Sequence, residues 1–302
     1  MTNDVEQIEV LAPAKLNLFL HITGRRDDGF HLLESLFVFC DFGDRLTISE
    51  APGFGLTVTG PFEPIMAELC PDENDNLILK AAKKLANFVE SKGGVVFPVQ
   101  IDLEKNIPIA AGVGGGSSDA AMVLKALIDL WGVEVSTNEL HTLALQLGAD
   151  VPAALSLEPK WVTGIGDKVE HVEALPSFYV VLVNPCVPLS TPDVFNAFAG
   201  EGSGFDEAKD PLISFSDLAT LKAYLASTKN SLEKTATNLE PVIGDVLESL
   251  SNQQQCLLSR MSGSGPTCFG VFEGFAEAQE ALEAIESKHP DWWVEVASIM
   301  GK

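Results

Sequence analysis

Residues 107–127 read IPIAAGVGGGSSDAAMVLKAL. Pro108 and Ala110 lead into Gly112, Gly114, Gly115 and Gly116, which stand directly ahead of Ser117 and Ser118. Ala120, Ala121, Leu124, Leu127, Ile128 and Trp131 then recur at helical spacing, and Gly132 is a natural stop. The spacing predicts a helix that begins at Ser117 or Ser118. A glycine run that opens a helix is a phosphate cradle in outline. Glycine lets backbone N–H groups approach an anion closely, and the unpaired N–H groups and partial positive charge of a helix start favour it. The two hydroxyls add donors for phosphate oxygens or ligands for Mg²⁺, the usual companion of ATP. Asp119 adds a carboxylate in the first turn. An isolated run of this kind reads equally well as a flexible turn whose Ser and Asp cap the helix. No GK[ST] follows it, so it is not a Walker A loop, and no clear βαβ unit surrounds it as a dinucleotide site requires.

Working outward, Asn76 stands where a cap belongs, ahead of Ile78, Ala81, Ala82, Leu85, Phe88 and Val89 at the helical period, with Gly93 and Gly94 as the stop. Residues 55–59 and 95–103 alternate apolar and polar side chains as half-buried strands do, and 46–49 reads similarly. Downstream, residues 137–147 predict a helix that buries Leu140, Leu143, Ala144 and Leu147 and ends at Gly148, leaving Asp150 in the loop beyond. Residues 179–183 form a continuous apolar β run, and 200–204 a polar surface loop. Segments 256–260, 267–272 and 293–299 read as strands, with a helix over 276–287. Strands and helices mixed without a strict βαβ rhythm predict an α+β fold rather than a doubly wound sheet. The expected domains are 1–155 and 156–302.

Composition narrows the function. The 302 residues, 46% of them hydrophobic, suffice for one large or two ordinary cores. Nineteen Lys plus Arg against 43 Asp plus Glu give a net charge of −24, a field that repels nucleic acid, so any phosphorylated ligand must be held by local features. No run reaches membrane-spanning length, and residues 1–10 lack the basic flank and apolar stretch of a leader. The five cysteines and five histidines fall in no zinc or disulfide spacing, so no metal site built on them is expected, and a reducing cytoplasm fits best.

Two further runs accompany the glycine loop. In LAPAKLNLFLHITGRRDDGFHLLES, Lys15 and Asn17 lie on one side of a strand, away from Leu16 and Leu18; such a pair is also commonly a solvated face. In SRMSGSGPTCFGVF, Gly263, Ser264 and Gly265 make a tight turn between strands, alone no more than a hairpin. Taken together and in order, PAKLNL, GVGGGSSDAA and SGSGPT closely resemble the three signature motifs of the GHMP kinases, and the likeness spans about residues 11–270.

That resemblance implies a two-domain fold, an N-terminal ribosomal-S5-like domain and a C-terminal ferredoxin-like α/β sandwich, with ATP as phosphoryl donor, Mg²⁺ beside it, and ligands in the cleft between domains. APAKLNLFLHITGRRDDGFH, ESLF and GADVP resemble the members that phosphorylate the 2-hydroxyl of 4-diphosphocytidyl-2-C-methyl-D-erythritol, a small-molecule step of non-mevalonate isoprenoid biosynthesis. By that likeness Asp150 accepts the hydroxyl proton, Lys15 stabilises phosphoryl charge, and Asn17 orients substrate or phosphate. Pro108, Ala110, Gly112, Gly114, Gly115, Gly116, Ser117 and Ser118 hold the nucleotide, with Asn76 near adenine. Phe30, His31, Phe195 and Thr191 form the cytosine pocket, with Phe195 opposite Phe30. Where the family has Tyr before His, Phe30 keeps the ring without the hydroxyl; the NDLEP-like run appears as TNLEP, residues 237–241. Mevalonate-, homoserine- and galactose-type kinases share the three-motif scheme, and a catalytically inactive nucleotide-binding relative would retain the scaffold.

Overall fold

The computed structural model describes residues 7–202 and 204–299. Residues 1–6 of the leader reading and Ser203 of the 200–204 loop lie outside the described residues. In chain order come strands β1 (Gln7–Arg25), β2 (His31–Glu50) and β3 (Gly55–Thr59), helices α1 (Glu63–Leu69) and α2 (Leu77–Ser91), strand β4 (Val99–Glu104), and helices α3 (Gly115–Trp131), α4 (Thr137–Leu145) and α5 (Val151–Ala154). Strands β5 (Lys160–Gly164), β6 (Lys168–His171) and β7 (Tyr179–Asn184) follow, then helices α6 (Thr191–Gly200), α7 (Leu218–Ala226), α8 (Glu233–Leu239) and α9 (Val242–Ser251). The chain continues through β8 (Leu258–Met261), β9 (Cys268–Phe272), α10 (Phe275–Lys288) and β10 (Trp293–Ser298). The α+β expectation holds.

Two compact units are drawn from these elements. The first takes the chain up to Ala14, Gly43–Ile109 and Gly115–Ser156; the second takes Lys15–Phe42, Ala110–Gly114 and the chain from Leu157 on. β1 and β2 therefore each begin in one unit and end in the other, and the glycine loop passes from the second to the first between Gly114 and Gly115.

In the first unit the far half of β2 pairs antiparallel with β4, Arg45 opposite Glu104 and Glu50 opposite Val99, while β3 runs parallel to β4. A parallel neighbour needs a crossover, and α1 and α2 supply it. In β4 the alternation is physical: Val99, Ile101 and Leu103 are buried, Asp102 and Glu104 exposed. α2 follows its expected pattern. The Asn76 side chain accepts from the Ile78 N–H, and Ile78, Ala81, Ala82, Leu85 and Val89 are buried. α4 opens with a capping box in which Ser136 and Glu139 satisfy each other's backbone N–H, an arrangement that contributes about 1 kcal/mol.

Several boundaries differ from expectation. The helix predicted from Ser117 or Ser118 begins at Gly115, because Gly115 and Gly116 are already helical. A strand predicted from residue 95 begins at Val99; Pro98, which has no N–H to donate, precedes it, and Val95 is 85% exposed. α4 stops at Leu145, and the next residues tighten into a turn with both Leu147 and Gly148 N–H groups on the Ala144 carbonyl. β8 starts at Leu258 rather than 256, since the Cys256 N–H closes a turn on Gln253.

In the second unit an antiparallel sheet runs β10-β7-β9-β8, with α9 and α10 packed on it. Val181, Val183, Phe272, Val246, Leu250 and Ile285 form part of its core. The near half of β2 pairs with β5, Leu33 opposite Gly164, and β5 pairs with β6. Among the described residues no helix is long and apolar enough to cross a membrane.

Candidate active site

The second unit brings the three sequence motifs into contact. Lys15 and Asn17, alternate residues of β1, share a face as a strand requires, yet that face is not solvated: they are 6% and 2% exposed. The Lys15 ammonium donates to Asn17 Oδ1 at 2.8 Å and lies 4.2 Å from the centre of the Phe37 ring. Asn17 Nδ2 donates to Ser35 Oγ at 2.8 Å, and Ser35 donates to the Phe19 carbonyl. The amide is thereby oriented with its oxygen on the lysine.

The loop segment Ala110–Gly114 closes on this pair. The Lys15 N–H donates to the Val113 carbonyl at 2.9 Å, and a Cβ on Gly114 would stand 3.1 Å from Lys15 Cε. Gly112 adopts φ +74°, and a Cβ there would overlap the Ser262 carbonyl oxygen and meet the Gly265 nitrogen at 2.9 Å. Only glycine fits, on both counts. Ser262, fully buried at the start of the SGSGPT turn, accepts from the Asn17 N–H at 3.1 Å and donates to the Gly112 carbonyl at 3.0 Å. One hydroxyl thus ties all three motifs. Asn230 braces the turn from below, its Nδ2 donating to the Met261 and Gly263 carbonyls at 2.8 and 2.7 Å.

The same unit carries the aromatic residues singled out in the sequence. His31 opens β2, and its ring centre lies 5.3 Å from that of Phe195 at 33°, with Phe198 edge-on at 5.9 Å. In the structure the ring against Phe195 is that of His31, while Phe30, just ahead of β2, is 61% exposed. His31 Nε2 is buried without a hydrogen-bond partner. Burial, then the neighbouring Arg25 cation, lowers the His31 pKa from 6.5, leaving a neutral imidazole at pH 7 with a polar edge available. Thr191, in the first turn of α6, shares a 2.7 Å hydrogen bond with Ser264 of the turn, and Phe195 lies one helical turn on.

In the first unit, α3 presents its N-terminus at Gly115 and Gly116 beside Ser117. Ser118 is 1% exposed and its Oγ is without a protein partner. Asp119 turns inward rather than toward solvent, receiving the Lys105 ammonium at 3.1 Å; Lys105 also pairs with Asp44. Asn76 is spent in part on capping α2. Pro108 is buried, and Ala110 takes φ +53° at the loop's exposed bend. Asp150 immediately precedes the short helix α5, and its side chain makes no capping bond there, so a cap does not account for it. In the TNLEP run, Thr237 bonds back to the Glu233 carbonyl while Glu240 and Pro241 divide α8 from α9.

Asn230, Asp44 and Lys105 escaped sequence reasoning, and Ser35 and Ser262 sat inside ESLF and SGSGPT without a role of their own. Each acts through a partner distant in sequence, 245 residues away for Ser262 and Asn17, and no local pattern assigns that role. Their residue types carried the one available signal, since buried polar side chains require partners.

A buried lysine held by an amide against a glycine loop, that loop opening a helix with an unpartnered hydroxyl, on an α+β scaffold, defines a phosphoryl-transfer enzyme. Residues 76–157 match the model of the GHMP kinases N terminal domain, and residues 210–291 that of the GHMP kinases C terminal domain. A 4-diphosphocytidyl-2-C-methyl-D-erythritol kinase of Paramagnetospirillum magneticum is 45% identical over 96% of this chain and 97% of its own length. One from Rhizobium etli is 44% identical over 94% and 92%. A crystal structure of 4-(cytidine 5'-diphospho)-2C-methyl-D-erythritol kinase superposes with TM-score 0.75 at 34% identity, covering 98% of this chain and 100% of that one. Homoserine kinase from Cytophaga hutchinsonii, at TM-score 0.68 and 17% identity over 100% and 96%, shares the fold. The chain belongs to the GHMP kinases.

Proposed function

We propose that this protein uses ATP to phosphorylate the 2-hydroxyl of 4-diphosphocytidyl-2-C-methyl-D-erythritol in the cytoplasm, a step of non-mevalonate isoprenoid precursor synthesis. The observation that carries the reading is the convergence of Lys15–Asn17, the loop segment Ala110–Gly114 and the SGSGPT turn on Ser262. The relatives named for that substrate, at 45% and 44% identity over nearly the whole chain, support the choice of acceptor.

The roles follow from chemistry. Asp150 takes the proton from the attacking hydroxyl, whose oxygen forms the new bond to the γ-phosphorus as the bond to ADP breaks. Lys15, aimed by Asn17, neutralises charge that grows on the transferred group. The loop from Pro108 and Ala110 through Gly112, Gly114, Gly115 and Gly116 offers backbone N–H groups to the triphosphate, with Ser117 and Ser118 as hydroxyl donors. Mg²⁺ fits this donor set: the buried, unpartnered Ser118 Oγ is the hard oxygen such an ion takes, and the ion would offset phosphate charge. Asn76, its oxygen on the α2 backbone, has an amide N–H₂ to offer adenine. On the acceptor side, Phe195 and the exposed Phe30 give cytosine flat apolar faces, His31 Nε2 reads its polar edge, and Thr191 lines the approach.

The test is ATP consumption against a panel of alcohols. Turnover of the cytidine diphosphate compound, with mevalonate, homoserine and galactose inert, is expected; turnover of mevalonate in its place would reassign the acceptor. No turnover of any alcohol, with ATP still bound, would leave an inactive relative.

A further inference from the structure

Under the start of α3 lies an ion cluster that the reaction does not use. Lys105, which follows β4 and is 3% exposed, donates from its ammonium to Asp44 and, at 3.1 Å, to Asp119 Oδ2. Asp44 has no exposed surface, and its other oxygen accepts from the backbone N–H groups of Asn106 at 2.6 Å and Ile107 at 2.8 Å. A Cβ built on Gly115 would stand 3.1 Å from the Lys105 ammonium and 3.5 Å from Asp44 Oδ2, so the first residue of α3 rests directly on the pair. The chain that leaves β4 and the helix that receives it are therefore fastened to the same three side chains.

Two features mark this as more than filler. Burying one ammonium between two carboxyl groups is costly, and an apolar packing of the same volume would commonly be as stable or more so. Asp119 Oδ1 is buried without a partner, which adds to the cost. The cluster also sits at the base of the loop that the proposed function assigns to the triphosphate. Both ends of that loop, Asn106–Ile107 and Gly115–Asp119, take their positions from it. Closing a loop at its base lowers the entropy lost when a ligand orders it.

We propose that Lys105 is a positioning residue for ATP: clamped between Asp44 and Asp119, it sets the base of the glycine loop and the first turn of α3 so that their N–H groups converge on the triphosphate. It touches no nucleotide itself, because its ammonium is already engaged by Asp44 and Asp119. The inference rests on the loop's assignment to ATP.

The experiment measures ATP binding to the full chain by calorimetry, without acceptor, then KM for each substrate. Wild type, Lys105→Met, Asp119→Leu and Asp119→Asn are compared. Lys105→Met and Asp119→Leu are expected to weaken ATP at least tenfold and raise its KM alike, with the acceptor KM within twofold. Asp119→Asn, which keeps an oxygen for the ammonium, is expected to stay within threefold of wild type for ATP. A purely structural cluster would lower the melting temperature of folded variants while leaving ATP affinity unchanged, and that result overturns the inference. If Lys105→Met does not fold, the Leu and Asn variants at 119 decide, since equal ATP affinity in the two would also overturn it. Failure of wild type to bind ATP at all would instead defeat the assignment of the loop.

Discussion

At the scale of single residues, the proposed reaction turns on one carboxyl group. Asp150 is the candidate base, and its side chain is not consumed in capping α5. Replacing it by Asn removes the proton acceptor while keeping the shape. Asp150→Asn is expected to lower kcat by about 10²–10⁴-fold, the usual contribution of a general base, with ATP affinity within about threefold. Steady-state kinetics paired with calorimetry checks this, and near-normal turnover would remove Asp150 from the mechanism. In Asp119 the surroundings set the chemical form of a second carboxyl group. Burial pushes its carboxyl up from 3.8 to about 8, against the pull of Lys105. The folded protein then holds a proton that the unfolded chain gives up, so this group's contribution to stability falls as pH rises from the unfolded value toward about 8 and is level beyond. Denaturant titrations at pH 6 and pH 9 are expected to show wild type losing more stability over that interval than Asp119→Asn; parallel curves would place the carboxyl's pKa elsewhere. Lys15 and Asn17 were legible, since alternation alone puts them on one face. Ser262 was not, because its partners Asn17 and Gly112 are joined to it only by the fold.

At the scale of elements, legibility followed periodicity. α2, α3 and α4 announced themselves through apolar spacing and caps, and the errors were of one turn or less at their ends. β1 and β2 hid their length. From Ala12 to Ile22 β1 is buried without a break, so the alternation that begins at Lys15 marks neither a solvated face nor the strand's ends. The glycines give the sharpest contrast between similar residues in different settings. Gly112 and Gly132 both have positive φ, but a Cβ at Gly112 meets the Ser262 and Gly265 backbone, while at Gly132 nothing lies within 4 Å. Gly132→Ala should therefore cost only the left-handed conformation, about 1–2 kcal/mol, and leave ATP binding intact. Gly112→Ala should cost more than that and abolish ATP binding, since backbone cannot yield as a side-chain tip does. Chemical denaturation and nucleotide titration of the two variants separate the cases; equal effects would mean the turn at 262–267 gives way.

At the scale of the whole molecule, the passage of β1 from one unit to the other at Ala14 and Lys15 leaves no mark in composition, because a strand reads the same on either side of such a crossing. Net charge, by contrast, is wholly legible, and it has a kinetic consequence. A chain of −24 would have to receive the two anions proposed for it, ATP and a cytidine diphosphate compound. The long-range field opposes their approach, while Lys15 acts only at contact range. Raising KCl from 20 to 200 mM shortens the screening length from roughly 20 Å to roughly 7 Å, which removes the distant repulsion but barely touches interactions at hydrogen-bond distance. The kcat/KM for both substrates is therefore expected to rise over that range, opposite to the fall usual for proteins that gather phosphates on a basic surface. Stopped-flow binding of a fluorescent ATP analogue should place the gain in the association rate. A kcat/KM that falls with salt would show that local cations, Lys15 and Arg25 among them, outweigh the acidic surface in steering.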